Sequence, residues 1–167
     1  MSNPSTTLVR LGVKHCLFDW GNTLMADLPG MHGPMCDWPT ISLVDGADRV
    51  LQALSSSYSC HLATSAADSD SSQIRQALSR AGIATPIEQI FCKATLNCDK
   101  RSANYYNGIV QRLGSSPSRI VMIGDSLSDD IMGALNCGLK AIWFNPNKLP
   151  VPAGITAITH LNDLIGN

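Results

Sequence analysis

The chain has 167 residues, 44% of them hydrophobic and 15% charged, with 12 Lys plus Arg against 13 Asp plus Glu and a net charge of -1. That length predicts one domain over residues 1–167, and the composition predicts a globular core. The charge balance excludes generic binding to nucleic acid or to an anionic membrane, which both need a dense cationic face. Residues 1–13 are expected to be flexible. Arg10 and Lys14 interrupt their short apolar stretch, so no signal segment is expected. No apolar run approaches the roughly 18 residues of a membrane span, and the cytoplasm is the expected compartment.

Residues 15–18 form a short apolar run that ends at Asp19 and reads as a buried strand. Residues 25–43 are rich in Pro, Gly and Met, and read as an irregular loop or a minimal lid over whatever follows Asp19. Residues 45–54 place Val50, Leu51 and Leu54 on one helical face. Residues 58–63 read as a strand ending at Thr64 and Ser65, and residues 68–81 as a helix closed by Gly82. A short strand over 90–92 and a helix over 102–113, closed by Gly114, follow. The run at 120–123 reads as a strand that passes straight into Gly124 and Asp125. A helix over 129–136, a strand over 141–144 and a short helix from about His160 complete the chain. Strands that are continuous apolar runs, alternating with helices, predict a three-layer α/β/α sandwich. Its central sheet of five or so strands is mostly parallel and Rossmann-like.

In such sheets ligands bind beyond the carboxyl ends of the strands. Asp19, Thr64, Ser65 and Asp125 stand there, with Lys100 ahead of the fourth strand. Hard carboxylate oxygens suit Mg2+, and hydroxyls, N–H groups and an ammonium suit a phosphate. A carboxylate can also act as a covalent nucleophile, so these residue types point to phosphoryl transfer. The six cysteines are scattered without a CxxC pair, which argues against a disulfide framework or a zinc site. His32, Cys36 and Asp37 share one loop without paired-ligand spacing. His15, His61 and His160 read as core or surface residues.

Phe18-Asp19-Trp20-Gly21-Asn22-Thr23-Leu24 resembles the first motif of the haloacid dehalogenase-like (HAD) phosphatases, D-x-D-G-T-L. Leu62-Ala63-Thr64-Ser65 is similar to the second motif. Lys100 sits where the third-motif Lys is expected, with Tyr106 in the place of a usual aromatic. Gly124-Asp125 through Asp129-Asp130-Ile131 is similar to the fourth motif. The resemblance runs from about Lys14 to Asn145. It implies a Mg2+-dependent phosphohydrolase acting through an aspartyl-phosphate at Asp19, on a phosphorylated substrate. It further implies that Asp19 is nucleophile and metal ligand, and that the Gly21 carbonyl and Asp125 are the other ligands. Thr64, the Ser65 N–H and Lys100 would bind the phosphoryl oxygens. Asp130, or Asp129 beside it, would hold Lys100 or a metal-bound water.

The chain departs from that pattern. Gly21 stands where ester-hydrolysing members carry a second Asp as general acid and base, and Asn22 stands where they carry Gly. Turnover is therefore expected to be slow. A noncatalytic phosphate- or metabolite-binding protein and a phosphotransferase are the alternatives. About twenty residues separate Leu24 from the first helix, too few for a sizeable cap domain.

Overall fold

The fold is known from a computed structural model describing residues 6–166. In chain order it comprises helix α1 (Thr6–Leu11), strand β1 (His15–Phe18), helix α2 (Ala47–Leu54), β2 (Ser59–Ala63) and α3 (Ser71–Arg80). Then follow β3 (Ile87–Phe91), α4 (Lys93–Leu96), α5 (Ala103–Leu113), β4 (Ile120–Gly124), α6 (Gly133–Asn136), β5 (Lys140–Phe144) and β6 (Ala157–Ile158). The strands make one parallel sheet in the order β3-β2-β1-β4-β5-β6. No helix among the described residues is long and apolar enough to cross a membrane.

The inner strands are mostly apolar because both faces of the sheet are covered, whereas the edge strand β3 exposes Glu88 and Gln89. Cys16, Phe18, Leu62, Val121 and Ile123 face the core under α2 and α3. Leu17, Ala63, Phe91 and Met122 face Tyr105, Tyr106 and Ile109 of α5. Helix α2 buries Ala47, Val50, Leu51 and Leu54, one stripe at helical spacing. Helix α3 starts at Ser71, not 68, because Asp70 caps it: its carboxylate accepts from the Gln73 N–H while Gln73 returns a bond to the Asp70 N–H.

Several expectations need correction. Residues 6–13 are not a flexible arm: α1 buries Leu8, and Val13 is buried behind it. Residues 1–5 lie outside the described residues. The sheet has six strands, because the two-residue β6 pairs with β5 beyond the last expected strand. The third strand spans Ile87–Phe91, and Cys92 instead caps α4. Near the C-terminus the expected helix is a single 3-10 turn, Leu161–Leu164, whose two leucines are buried.

The segment over 25–43 is pinned at both ends and in the middle. Met25 bridges to Gly21 and to Leu43, and the Val44 N–H bonds the Leu24 carbonyl at 2.9 Å. A 3-10 turn at Met35–Asp37 packs on α3, whose Arg80 guanidinium donates to the Cys36 and Trp38 carbonyls at 2.6 and 2.9 Å. The Trp38 indole N–H points inward to the His32 and Gly33 carbonyls. It is a fixed wall over the sheet edge.

At the opposite end of the sheet, His15 Nδ1 and His61 Nε2 lie 3.1 Å apart, with stacked rings. His61 is buried, its Nδ1 has no partner, and burial lowers its pKa to about 4, against a smaller upward pull from Glu88. Below the ordinary value of 6.5 the unfolded chain takes a proton that the folded chain refuses. Stability should therefore be level above pH 6.5 and fall as pH drops toward 4, by about 3 kcal/mol from this residue. Urea unfolding at pH 7 and pH 4.5 should show His61→Leu losing correspondingly less than the wild type. Parallel acid limbs in the two proteins would remove His61 as the cause.

Candidate active site

Strand β1 delivers Asp19 to the carboxyl edge of the sheet, where its N–H bonds the Ile123 carbonyl of β4 at 2.9 Å. Strand β4 delivers Asp125 beside it. The Thr23 hydroxyl lies 3.3 Å from a carboxylate oxygen of each. Lys100, buried between α4 and α5, donates from Nζ to Asp19 Oδ1 at 2.5 Å and to Asp130 Oδ1 at 2.7 Å. Gly124 permits this convergence, since a Cβ there would fall 2.2 Å from Asp130 Oδ2.

The segment after Asp125 is a π-helical turn, Leu127–Met132, in which the Ile131 N–H reaches back to the Ser126 carbonyl. That wide turn separates the two adjacent carboxylates. Asp130 points inward, accepting from Lys100 with one oxygen and from the Ser126 N–H with the other. Asp129 points toward the Ser128 hydroxyl and does not meet Lys100. The Tyr106 hydroxyl holds the turn from below, donating to the Asp129 carbonyl at 2.8 Å.

On the other side of Asp19, the Thr64 hydroxyl accepts from the Ala66 N–H at 3.0 Å, which leaves its own proton free to donate. The Ser65 hydroxyl accepts from the Lys100 backbone N–H at 3.1 Å, tying the two phosphate-binding candidates together. Asp19, Gly21, Thr64, Ser65, Lys100 and Asp130 all line one pocket of about 370 Å³. Asp125 lines a neighbouring hollow, with Asn22 and Trp143, so the carboxylates form a partition between the two. Asp19, Gly21, Thr64, Ser65, Lys100 and Asp130 thus meet at one pocket, with Asp125 beside Asp19 and Asp130.

Burial raises the pKa of Asp125 to about 7, reinforced by its hydrogen bond and proximity to Asp19. Burial likewise raises Asp130 to about 6, against the pull of Lys100. For Lys100, burial opposes the charge, but Asp19 and Asp130 outweigh it and hold the ammonium above its ordinary value. One ammonium among three carboxylates leaves an excess of negative charge that a divalent cation would satisfy. Oxygens of Asp19, Asp125 and Asp130 lie within 4.8 Å of one another, a donor set that fits a hard cation. His32, Cys36 and Asp37 are not gathered in this way: His32 is exposed, and the Cys36 thiol contacts Asp37 at 3.7 Å.

Three contributors had no role assigned from sequence. Thr23 lies inside the first motif, and the signal for it was that motif's hydroxyl. Trp143, on β5, donates its indole N–H to the Asp125 carbonyl at 2.9 Å, and only sheet register reveals it. Ser126 lines the pocket and anchors Asp130.

Residues 31–144 match the family model for haloacid dehalogenase-like hydrolases. Pyrimidine 5'-nucleotidase PynA of Streptococcus pneumoniae is 38% identical over 73 residues, which cover 43% of this chain and 31% of that protein. The putative HAD-hydrolase YfnB of Bacillus subtilis is 28% identical over 109 residues, 65% of this chain and 45% of that protein. In those alignments the chain spans less than half the length of either relative. Among solved structures, an uncharacterized protein from Listeria monocytogenes serotype 4b superposes with a TM-score of 0.80 at 24% identity, covering 91% of this chain and 94% of that one. Magnesium-bound YfnB superposes with a TM-score of 0.74 at 18% identity, covering 91% and 96%.

Proposed function

The chain belongs to the haloacid dehalogenase-like hydrolases, and from that premise we propose that it is a Mg2+-dependent phosphomonoesterase with Asp19 as nucleophile. The observation that carries this reading is the buried double ion pair of Lys100 with Asp19 and Asp130, lining one pocket together with Thr64 and Ser65. The relatives named as phosphatases, and the magnesium in YfnB, support it.

In the proposed reaction an Asp19 carboxylate oxygen attacks the phosphorus of a bound monoester. The new O–P bond forms as the bond to the alcohol oxygen breaks, and that oxygen leaves needing a proton. Water then attacks the phosphorus of the aspartyl-phosphate as the Asp19 O–P bond breaks, releasing inorganic phosphate, passing its proton to solvent and returning Asp19 to its carboxylate. Thr64, the Ser65 N–H and Lys100 hold the equatorial oxygens, and Lys100 offsets the charge that builds there. Asp130 holds Lys100 in place. Asp19, Asp125 and the Gly21 carbonyl are the proposed ligands of Mg2+, which when bound would neutralise charge on Asp19 and on the phosphoryl group together. Gly21 offers no proton to the leaving oxygen, so esters of acidic alcohols should react fastest. The six free cysteines suit a reducing compartment, and we place the protein in the cytoplasm.

Millimolar Mg2+ should raise the melting temperature by mass action and support phosphate release from p-nitrophenyl phosphate, which chelation stops. Asp125→Asn should blunt both effects. Mass spectrometry of the rapidly quenched reaction should find the phosphoryl group on Asp19. A metal-dependent thermal shift without phosphate release would instead favour a binding protein.

A further inference from the structure

Helix α5 begins at the edge of the pocket. Lys100, which lines that pocket, stands two residues before the capping residue Ser102, and the first turn of the helix carries Tyr105 and Tyr106. Both tyrosines are fully buried, with ring centroids 5.2 Å apart edge to face, in the core of Leu17, Phe91, Ile109 and Met122. Phenylalanine would fill that core equally well. What the hydroxyls add is bonds to main-chain carbonyls, and each hydroxyl serves a different half of the phosphoryl site. The Tyr105 hydroxyl lies 3.0 Å from the Thr64 carbonyl and 2.9 Å from that of Phe91. The Phe91 carbonyl also accepts from the Thr64 N–H at 2.9 Å. Thr64 is thereby held on both sides, through its N–H by β3 and through its carbonyl by Tyr105. The Tyr106 hydroxyl lies 2.8 Å from the Asp129 carbonyl and 3.3 Å from that of Asp130. Gly133 lets it come so near, since a Cβ there would fall 3.0 Å from Tyr106 Cε2 and 3.3 Å from the Lys100 carbonyl. Tyr106 is therefore wedged between the main chain that carries Lys100 and the turn that carries Asp130. Burial raises both phenols well above their ordinary pKa, so each keeps the proton it donates.

We propose, resting on the phosphomonoesterase reading, that Tyr105 and Tyr106 are positioning residues with divided tasks. The Tyr105 hydroxyl sets Thr64 for binding the phosphoryl group, and the Tyr106 hydroxyl sets Asp130 so that Lys100 stays aimed at the group in transfer. Thr64 donates to the phosphoryl oxygens in the bound ester and in the transition state alike, so its displacement removes uniform binding and shows in KM. Lys100 offsets charge that grows as the ester bond breaks, so its displacement shows in kcat.

The test uses Tyr105→Phe and Tyr106→Phe, each of which removes one oxygen and leaves the core filled. With Mg2+ and p-nitrophenyl phosphate, Tyr105→Phe should raise KM about tenfold, and the inhibition constant of inorganic phosphate with it, while kcat stays within about twofold. Tyr106→Phe should lower kcat about tenfold while KM and that inhibition constant stay within about twofold. The constants are measured well below the melting temperature of each variant. A role in packing alone would lower both melting temperatures and leave kcat and KM at their wild-type values. That result overturns the inference, and so does one and the same change in both variants; the phosphatase reading survives either. If the wild type hydrolyses no ester, the phosphatase reading fails, and calorimetric titration of inorganic phosphate into the three Mg2+-loaded proteins decides the division. Binding weakened about tenfold in Tyr105→Phe and unchanged in Tyr106→Phe then supports it. Equal affinities in all three, or no phosphate binding at all, overturn it.

Discussion

Lys100→Met should lower turnover on p-nitrophenyl phosphate by about 10³-fold or more, the scale on which lost donors to a transferring group are felt in a water-poor site. The same change should cost stability. Among the described residues Lys100 is the one cation bonded to both Asp19 and Asp130, and Asp130 is almost wholly buried. Removing one partner of a buried ion pair strands the other, at roughly 3–5 kcal/mol. Protonation relieves that cost. The Asp130 pKa already stands at about 6, and without the ammonium it climbs further. A carboxyl group raised in the folded state stabilises the fold as pH falls, so the variant should recover ground on the wild type between pH 7 and pH 5. Urea unfolding at the two values measures this, and steady-state assays at pH 7 measure the catalytic loss. A variant that keeps turnover within tenfold would take Lys100 out of the phosphoryl site.

Gly21→Asp should raise turnover on alkyl phosphates by about 10²–10⁴-fold, the usual contribution of a positioned acid and base. Two structural facts make the single change a fair test. Gly21 does not have the left-handed backbone that would strain a side chain, and a Cβ there meets nothing within 4 Å. The neighbouring Asn22 already takes the left-handed turn, at φ 57°, and its Oδ1 accepts from the Asp27 N–H at 3.0 Å. The turn therefore does not need glycine at position 22, contrary to what the sequence suggests. The gain should be small on p-nitrophenyl phosphate, whose leaving group needs little protonation. Comparing kcat for an alkyl and a nitrophenyl ester on both proteins isolates the effect. An equal gain on both would mean that the new carboxylate acts on something other than the leaving oxygen.

The sheet and the surroundings of Asp19 were legible because their signals are local. Apolar runs such as Ile120–Gly124 name a buried strand, and the residues that follow such strands fall at the ligand edge. What escaped depends on partners far along the chain. Residues 25–43 are irregular as expected, but what pins them is Arg80, 44 residues along the chain from the Cys36 carbonyl it bonds. His15 and His61 read singly as ordinary histidines, and only the register of β1 beside β2 stacks them. The choice between Asp129 and Asp130 was open because an α-helix over 129–136 fits the residues equally well. The π turn adds a residue to the helical repeat and so aims Asp130, not Asp129, at Lys100. Helix α1 and strand β6 were missed because six and two residues carry too little periodicity to register.

The clasp at the base of the 25–43 excursion has a consequence for protein engineering. The bonds among Gly21, Met25 and Leu43, with Ala26 N–H to the Ser42 carbonyl at 2.8 Å, close the excursion at its root, independently of what its tip contains. Lengthening a closed loop is cheap, since each doubling costs only about 0.6 kcal/mol of closure entropy. The exposed turn at Gly30, φ 78°, is accordingly a graft point. A whole reporter domain spliced there would hang from the molecule by its own two ends, while the strand carrying Asp19 stays in register.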